Sequence, residues 1–180
     1  MGQYDQDRLA TRFTKENPLQ VLIATMSDRA YAGDYEDEGG PAIRESIEEY
    51  FANTSISVTV RCVILPDEKP ELERRLIDAR DSDTDLVITT GGTGVGPRDI
   101  TPDVILSLAD KVIPGIMEAI RAKYGVDKPL ATLSRTVAAV MGKTLIYALP
   151  GSPKGVAEYM PEILKTIDHV LCVIHGLDEH

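Results

Sequence analysis

The chain has 180 residues, 43% of them hydrophobic, and a formal net charge of −10, which is enough for a single domain with a substantial core. The acidic balance argues against a generic nucleic-acid surface, because that needs a basic patch to displace counterions. No apolar run approaches the length of a membrane span.

The opening stretch MGQYDQDRLATRFTKEN is polar and charged, unlike a secretory signal. Residues 1–18 are expected to form an arm or a short, loosely ordered helix, and residues 19–180 one domain. Residues 19–25, LQVLIAT, read as a buried first strand. A long polar loop with Gly33, Gly39 and Gly40 spans residues 28–40. Pro41 then starts a helix whose Ile43, Ile47, Tyr50 and Phe51 fit the 3.6-residue period. Residues 56–65 form a second strand, with Ile56, Val58, Val60, Cys62 and Ile64 on alternate positions. Pro70 begins a helix carrying Leu72, Leu76 and Ile77, and residues 86–90 make a third strand. Two short helices are expected near residues 102–110 and 114–124, a strand at 144–149, and a last helix from Pro153 to about Ile174. Cys62 and Cys172 are the only cysteines and match no CxxC spacing. Both are expected to be reduced and packed, with a reducing cytoplasm as the simplest setting.

Strands alternating with helices imply an α/β fold with a mainly parallel sheet covered on both faces. Ligands in such folds sit beyond the carboxyl ends of the strands. Four strands end in polar, turn-forming sequence: Ser27-Asp28-Arg29, Pro66-Asp67-Glu68, Gly91 to Asp99, and Pro150-Gly151-Ser152-Pro153-Lys154. If the strands are parallel, these four loops share one rim and build one pocket.

The richest loop is TTGGTGVGPRDITPD, residues 89–103. Gly91, Gly92, Gly94 and Gly96 let backbone N–H groups approach a bulky anion. Thr101-Pro102-Asp103 then supplies a cap, a first-turn proline and an acid for a helix start. The loop lacks GxGxxG spacing, and Gly142-Lys143-Thr144 lacks the first glycine of a Walker A motif and precedes a strand, so it reads as a turn. Asp99 and Asp67 are candidate ligands for a hard cation such as Mg2+, which takes one or two carboxylates plus phosphate oxygens and water. Lys154 sits at the positive end of a helix dipole, a conflict that an anionic ligand removes. Arg29 and Arg98 are further candidates to face an anion. His169, His175 and His180 lack ligand spacing and read as structural or exposed, and there is neither a GxSxG nor a zinc signature.

With SDRA upstream, LPDE between and LPGSPKG downstream, the glycine loop resembles the Mog-type molybdopterin adenylyltransferases, relatives of the gephyrin G domain. The resemblance covers roughly residues 19–175. It implies a three-layer α/β/α sandwich and a homotrimer. It implies transfer of AMP from ATP to the terminal phosphate of molybdopterin, with Mg2+ and release of pyrophosphate, then hand-over to a molybdenum-inserting protein. On the family pattern Asp67 and Asp99 match two functionally important aspartates. Thr90, Gly91, Gly92, Thr93 and Gly94 match the phosphate-binding loop. Ser27, Asp28, Pro150, Gly151, Ser152 and Lys154 match the other rim segments, and Ser134-Arg135 a further one. Three other readings stand beside this one: a MoaB-type pterin-binding protein without clear catalysis, a nucleotide pyrophosphatase on a related domain, and an assembly scaffold.

Overall fold

The structure, a computed structural model, describes residues 2–178. Met1, Glu179 and His180 lie outside the described residues, so the expectation for His180 is not addressed. Six strands form one sheet in the order β2-β1-β3-β6-β5-β4. They are β1 (Leu19–Met26), β2 (Val58–Leu65), β3 (Leu86–Thr90), β4 (Lys111–Val112), β5 (Val137–Met141) and β6 (Thr144–Leu149). The first three and β6 run parallel, while β5 and β4 extend the sheet antiparallel at one edge. The helices are α1 (Gly2–Arg12), α2 (Asp28–Tyr31), α3 (Gly39–Ala52), α4 (Lys69–Asp81), α5 (Thr101–Leu108), α6 (Pro114–Gly125) and α7 (Pro153–Ile174).

Strand alternation divides the core into two layers. Val21, Ile23, Ile88 and Tyr147 face one side and pack with Ile43 and Ile47 of α3 and Ile163 and Ile167 of α7. Leu22, Val87, Ile146 and Ala148 face the other and pack with Leu72 and Leu76 of α4 and Val104 and Ile105 of α5. Strands β1, β3 and β6 are buried from both faces, which is why they read as continuous apolar runs.

Several expectations are revised. The polar loop after β1 contains the short helix α2, and α3 begins at Gly39 rather than Pro41. Strands β4 and β5 were not expected; β5 and β6 form a hairpin across Gly142-Lys143, with Gly142 at φ +61°. A glycine at the first central position suits a type II′ turn, so the triplet serves as a turn and a strand start. The opening stretch is helix α1, docked on α7 with Leu9 and Phe13 fully in the core. An 11-residue helix is marginal alone, and burying two such side chains contributes roughly 1.5–3 kcal/mol each. Both cysteines are free thiols, but only Cys172 is packed; Cys62 is exposed on edge strand β2. The His175 side chain is buried against Phe13 and lies 3.2 Å from Asp85, whereas His169 is half exposed.

Candidate active site

The parallel strands carry the loops after β1, β2, β3 and β6 to one rim, and the strand order reverses between β1 and β3. A crevice at such a reversal is the favoured ligand position in open α/β sheets. The four segments singled out in the sequence therefore do meet at one edge.

The glycine loop is held by its own geometry. Gly91 has φ +98°, and a Cβ there would sit 2.3 Å from the Met26 carbonyl oxygen. Gly92 has φ +63°, and its Cβ would sit 2.5 Å from Thr101 Oγ1 and 3.7 Å from Asp67 Oδ1. Only glycine takes these conformations at such close approach. The Thr101 hydroxyl donates to the Gly91 carbonyl at 2.9 Å, and the Thr101 N–H to Gly92 O at 3.1 Å. Thr101 is thus a fastener for the loop rather than a side-chain cap; Ile100 precedes α5 without a capping bond. The Thr90 hydroxyl donates to Pro150 O at 2.8 Å, tying the loop to the segment after β6.

Arg135 clamps the far side. Its N–H donates to Thr93 O at 2.8 Å, Nε to Gly94 O at 2.7 Å, Nη2 to Asp99 O at 2.5 Å and Nη1 to Asp103 at 2.9 Å. Ser134 lies beside it, its hydroxyl 3.4 Å from that of Thr93. A planar guanidinium suits this task because its donors fan out in a fixed geometry. In the sequence only the family resemblance drew attention to Arg135, since its acceptors are mostly carbonyls some 40 residues away.

The acids occupy the crevice mouth. Asp67 and Asp28 exchange bonds: the Asp28 N–H donates to Asp67 Oδ2 and the Asp67 N–H to Asp28 Oδ1, both at 3.0 Å. Arg98 grips Asp28 through Nε at 3.1 Å and Nη2 at 2.7 Å, and reaches Glu68 at 2.8 Å. The Asp67 N–H, then Arg98, hold the Asp28 carboxyl below the usual carboxylate range. Burial pushes the Asp67 carboxyl up, with the charges of Asp28 and Asp99 adding to the rise. Asp99 Oδ2 accepts the Gly96 N–H at 2.8 Å, so this acid stiffens the loop as well as facing the mouth.

Around the segment after β6 lie two cavities. One, of about 220 Å³, is lined by Thr25, Ser27, Asp37, Thr90 and Gly151. The other, of about 380 Å³, is lined by Lys128, Ser134, Pro150, Ser152, Lys154 and Tyr159. Ser152 caps α7 by accepting the Gly155 N–H at 3.1 Å, and Ser27 caps α2 by accepting the Ala30 N–H at 3.2 Å. Lys154 is exposed and lines the larger cavity together with Ser134. Arg29 lies over the Tyr35 ring, and Arg98 is paired with Asp28 and Glu68, so Arg98 is not a free anion contact. Asp37 escaped the sequence reading. Its carboxylate accepts the Gly39 and Gly40 N–H groups and the Thr25 hydroxyl, closing the start of α3. The available signal was an acid two residues before a helix start.

A divalent cation fits this donor set. Among the described residues no cluster of three or more His, Cys, Asp or Glu is placed to bind a metal by itself. Asp67 and Asp99 each keep one oxygen without a protein donor, and Asp67 is raised first by burial and then by the neighbouring charges of Asp28 and Asp99, the part a cation would relieve. Mg2+ ordinarily completes its shell with substrate phosphates, so two carboxylates suffice.

Residues 22–169 match the family described as a probable molybdopterin binding domain. The molybdopterin adenylyltransferase of Helicobacter pylori (strain J99) is 37% identical over 159 residues, covering 88% of this chain and 89% of its own. That of Escherichia coli (strain K12) is 36% identical over 162 residues, covering 89% and 80%. The molybdopterin biosynthesis Mog protein of Mycobacterium ulcerans superposes with a TM-score of 0.79 at 36% identity, over 88% of this chain and 98% of that one. With its glycine loop, paired aspartates and reversed strand order all inside the matched span, this chain belongs to the molybdopterin-binding domain family.

Proposed function

We propose that the chain is a molybdopterin adenylyltransferase of molybdenum cofactor biosynthesis. The observation that carries this is the convergence of Gly92, Asp67 and Asp99 at the strand-order reversal, in a chain 36–37% identical to relatives of that name over most of its length. A terminal phosphate oxygen of molybdopterin attacks the α-phosphorus of ATP. The bond from that phosphorus to the bridging oxygen breaks, and pyrophosphate leaves with the electron pair. The nucleophile is already anionic, so no strong base is needed. The difficulty is bringing two polyanions together, and positioning with charge neutralisation answers it.

In this reading the N–H groups of the Gly91–Gly94 loop cradle phosphate, and Arg135 keeps the loop in shape. Lys154 and the start of α7 add positive potential from the side. Asp67 and Asp99 hold Mg2+, which neutralises phosphate charge. Ser27, Asp28, Ser134 and the Pro150–Ser152 turn border the substrates. The reading extends to a homotrimer acting in the cytoplasm and passing adenylylated pterin to a molybdenum-inserting protein.

Asp99→Asn tests the site. We expect a folded protein with pyrophosphate release from ATP plus molybdopterin reduced roughly a hundredfold. Unchanged turnover removes Asp99 from the mechanism. Pterin binding by the unaltered chain with no ATP-dependent product would instead make it a binding module.

A further inference from the structure

Asp28 and Asp67 meet because of strand register. Strands β1 and β2 run parallel, with Met26 opposite Leu65 at their carboxyl ends. The two segments leave the sheet together, the Ser27 N–H still donating to Leu65 O at 3.0 Å. Asp28 and Asp67 stand at the same offset from those paired ends, so each backbone N–H finds the other's carboxylate, at 3.0 Å both ways.

The exchange leaves the two carboxylates in different states. Asp28 is saturated. Its Oδ1 accepts the Asp67 N–H and Arg98 Nη2 at 2.9 Å, and its Oδ2 accepts Arg98 Nε at 3.1 Å and Nη2 at 2.7 Å. Asp67 has a donor on Oδ2 alone, and its Oδ1 is turned to the glycine loop, 3.7 Å from where a Cβ on Gly92 would stand. A carboxylate engaged by a guanidinium fork has little left for a cation, whereas one with a free oxygen can ligate. Arg98 also immediately precedes Asp99, so the fork that grips Asp28 ties the loop carrying Asp99 to the strand end carrying Asp67. We propose that Asp28 is a positioning residue and not a cation ligand: braced by Arg98, it holds Asp67 with its free oxygen toward the glycine loop. This rests on the reading of Asp67 as a cation ligand given above. Ligating carboxylates are themselves held by outer partners, and losing one costs roughly 10–100-fold in metal affinity.

The test keeps the charges and changes the geometry. Asp28→Glu and Arg98→Lys each retain a charge while breaking the paired contacts. Mn2+ binding to the full chain, without nucleotide, is read by electron paramagnetic resonance of the free ion. The Mg2+ concentration for half-maximal pyrophosphate release from ATP plus molybdopterin is read beside it. We expect Asp28→Glu to weaken Mn2+ binding about tenfold and to raise the Mg2+ requirement in parallel. Arg98→Lys should do the same to a lesser degree, its effect fading as salt is raised. Because Asp28 acts through Asp67, Asp28→Glu should add nothing in an Asp67→Asn background, whereas a direct ligand would add in full. Circular dichroism checks each fold, and Arg98→Lys, alone and with Asp67→Asn, carries the test if Asp28→Glu does not fold. Unchanged metal dependence in both variants, or an undiminished effect on top of Asp67→Asn, overturns the brace and leaves Asp67 a ligand. Mn2+ binding that is absent from the unaltered chain, or indifferent to Asp67→Asn, overturns the ligand reading and the brace with it.

Discussion

The two corners of the rim are built on opposite principles. On the glycine-loop side, positive φ angles, carbonyl acceptors and the Arg135 fork fix the backbone. On the Asp28–Asp67 side, exposed side chains pair across loops: Arg98 and Glu68 are each 53% exposed and Asp28 47%. The first corner presents a preformed backbone surface, as an anion cradle requires. The second is held by charges that water and salt screen, so its pairs can exchange at little cost. Rigidity sits where the proposed function places phosphate, and adaptability where it would have charge rearranged.

The largest expected effect comes from breaking the rigid corner at its tightest point. Gly91→Ala puts a methyl group 2.3 Å from the Met26 carbonyl at φ +98°, so the backbone must move. We expect a loss of roughly 3 kcal/mol in urea denaturation and a drop of roughly 6–12 °C in Tm. A loss under about 0.5 kcal/mol would mean the loop is not held as described. Next, Arg135→Lys keeps the charge but removes the planar fork. Stability should fall by about 1–2 kcal/mol, and AMP transfer by more than that implies, because a misplacement of about 1 Å in the loop can cost roughly a hundredfold in rate. Equal turnover would show that the cradle keeps its shape without the clamp.

At the adaptable corner the effects are smaller and depend on solution conditions. The folded-state value of Asp67 is raised, so its contribution to stability is present below the ordinary Asp range and is lost as pH rises through the raised value. At neutral pH its charge is therefore a cost. Asp67→Asn should stabilise the chain by under about 1 kcal/mol, discounted for its partial exposure, with the gain disappearing in acid. Asp28 has the opposite sign: its value is lowered, and its contribution is lost only as pH falls through that lowered value. Urea titrations from neutral pH down to about pH 3 should separate the two, and parallel profiles would break the assignment. The smallest effect belongs to Arg98→Ala, whose exposed pairs should shift the urea midpoint only slightly at low salt and not at all in high salt.

How far the site was legible depended on what each residue does. The conformational demand at Gly91 and Gly92 shows in the sequence because only one residue type meets it. Strand-end position and motif singled out Asp67 and Asp99, and the structure brings the two near one another. Thr101 was misread because Thr before Pro is a capping signal, yet a nearby carbonyl won its hydroxyl. Arg98 looked like a free anion contact, since nothing local announces that Asp28 lies within reach across 70 residues of chain. The strand at 137–141 escaped because it is alanine-rich and shows no alternation.

The sequence by itself determined the buried strands β1, β3 and β6, the helices that separate them, and hence which loops share a rim. Local patterning suffices there, because an apolar period and a turn residue report burial and direction within a few residues. Only the tertiary structure decided the Arg135 clamp, the exchange between Asp28 and Asp67 across 39 residues, and the docking of α1 through Gln6 and Asp168 across 162. Those contacts are made between elements whose own patterns are satisfied without them, so they exist only once the layers have packed.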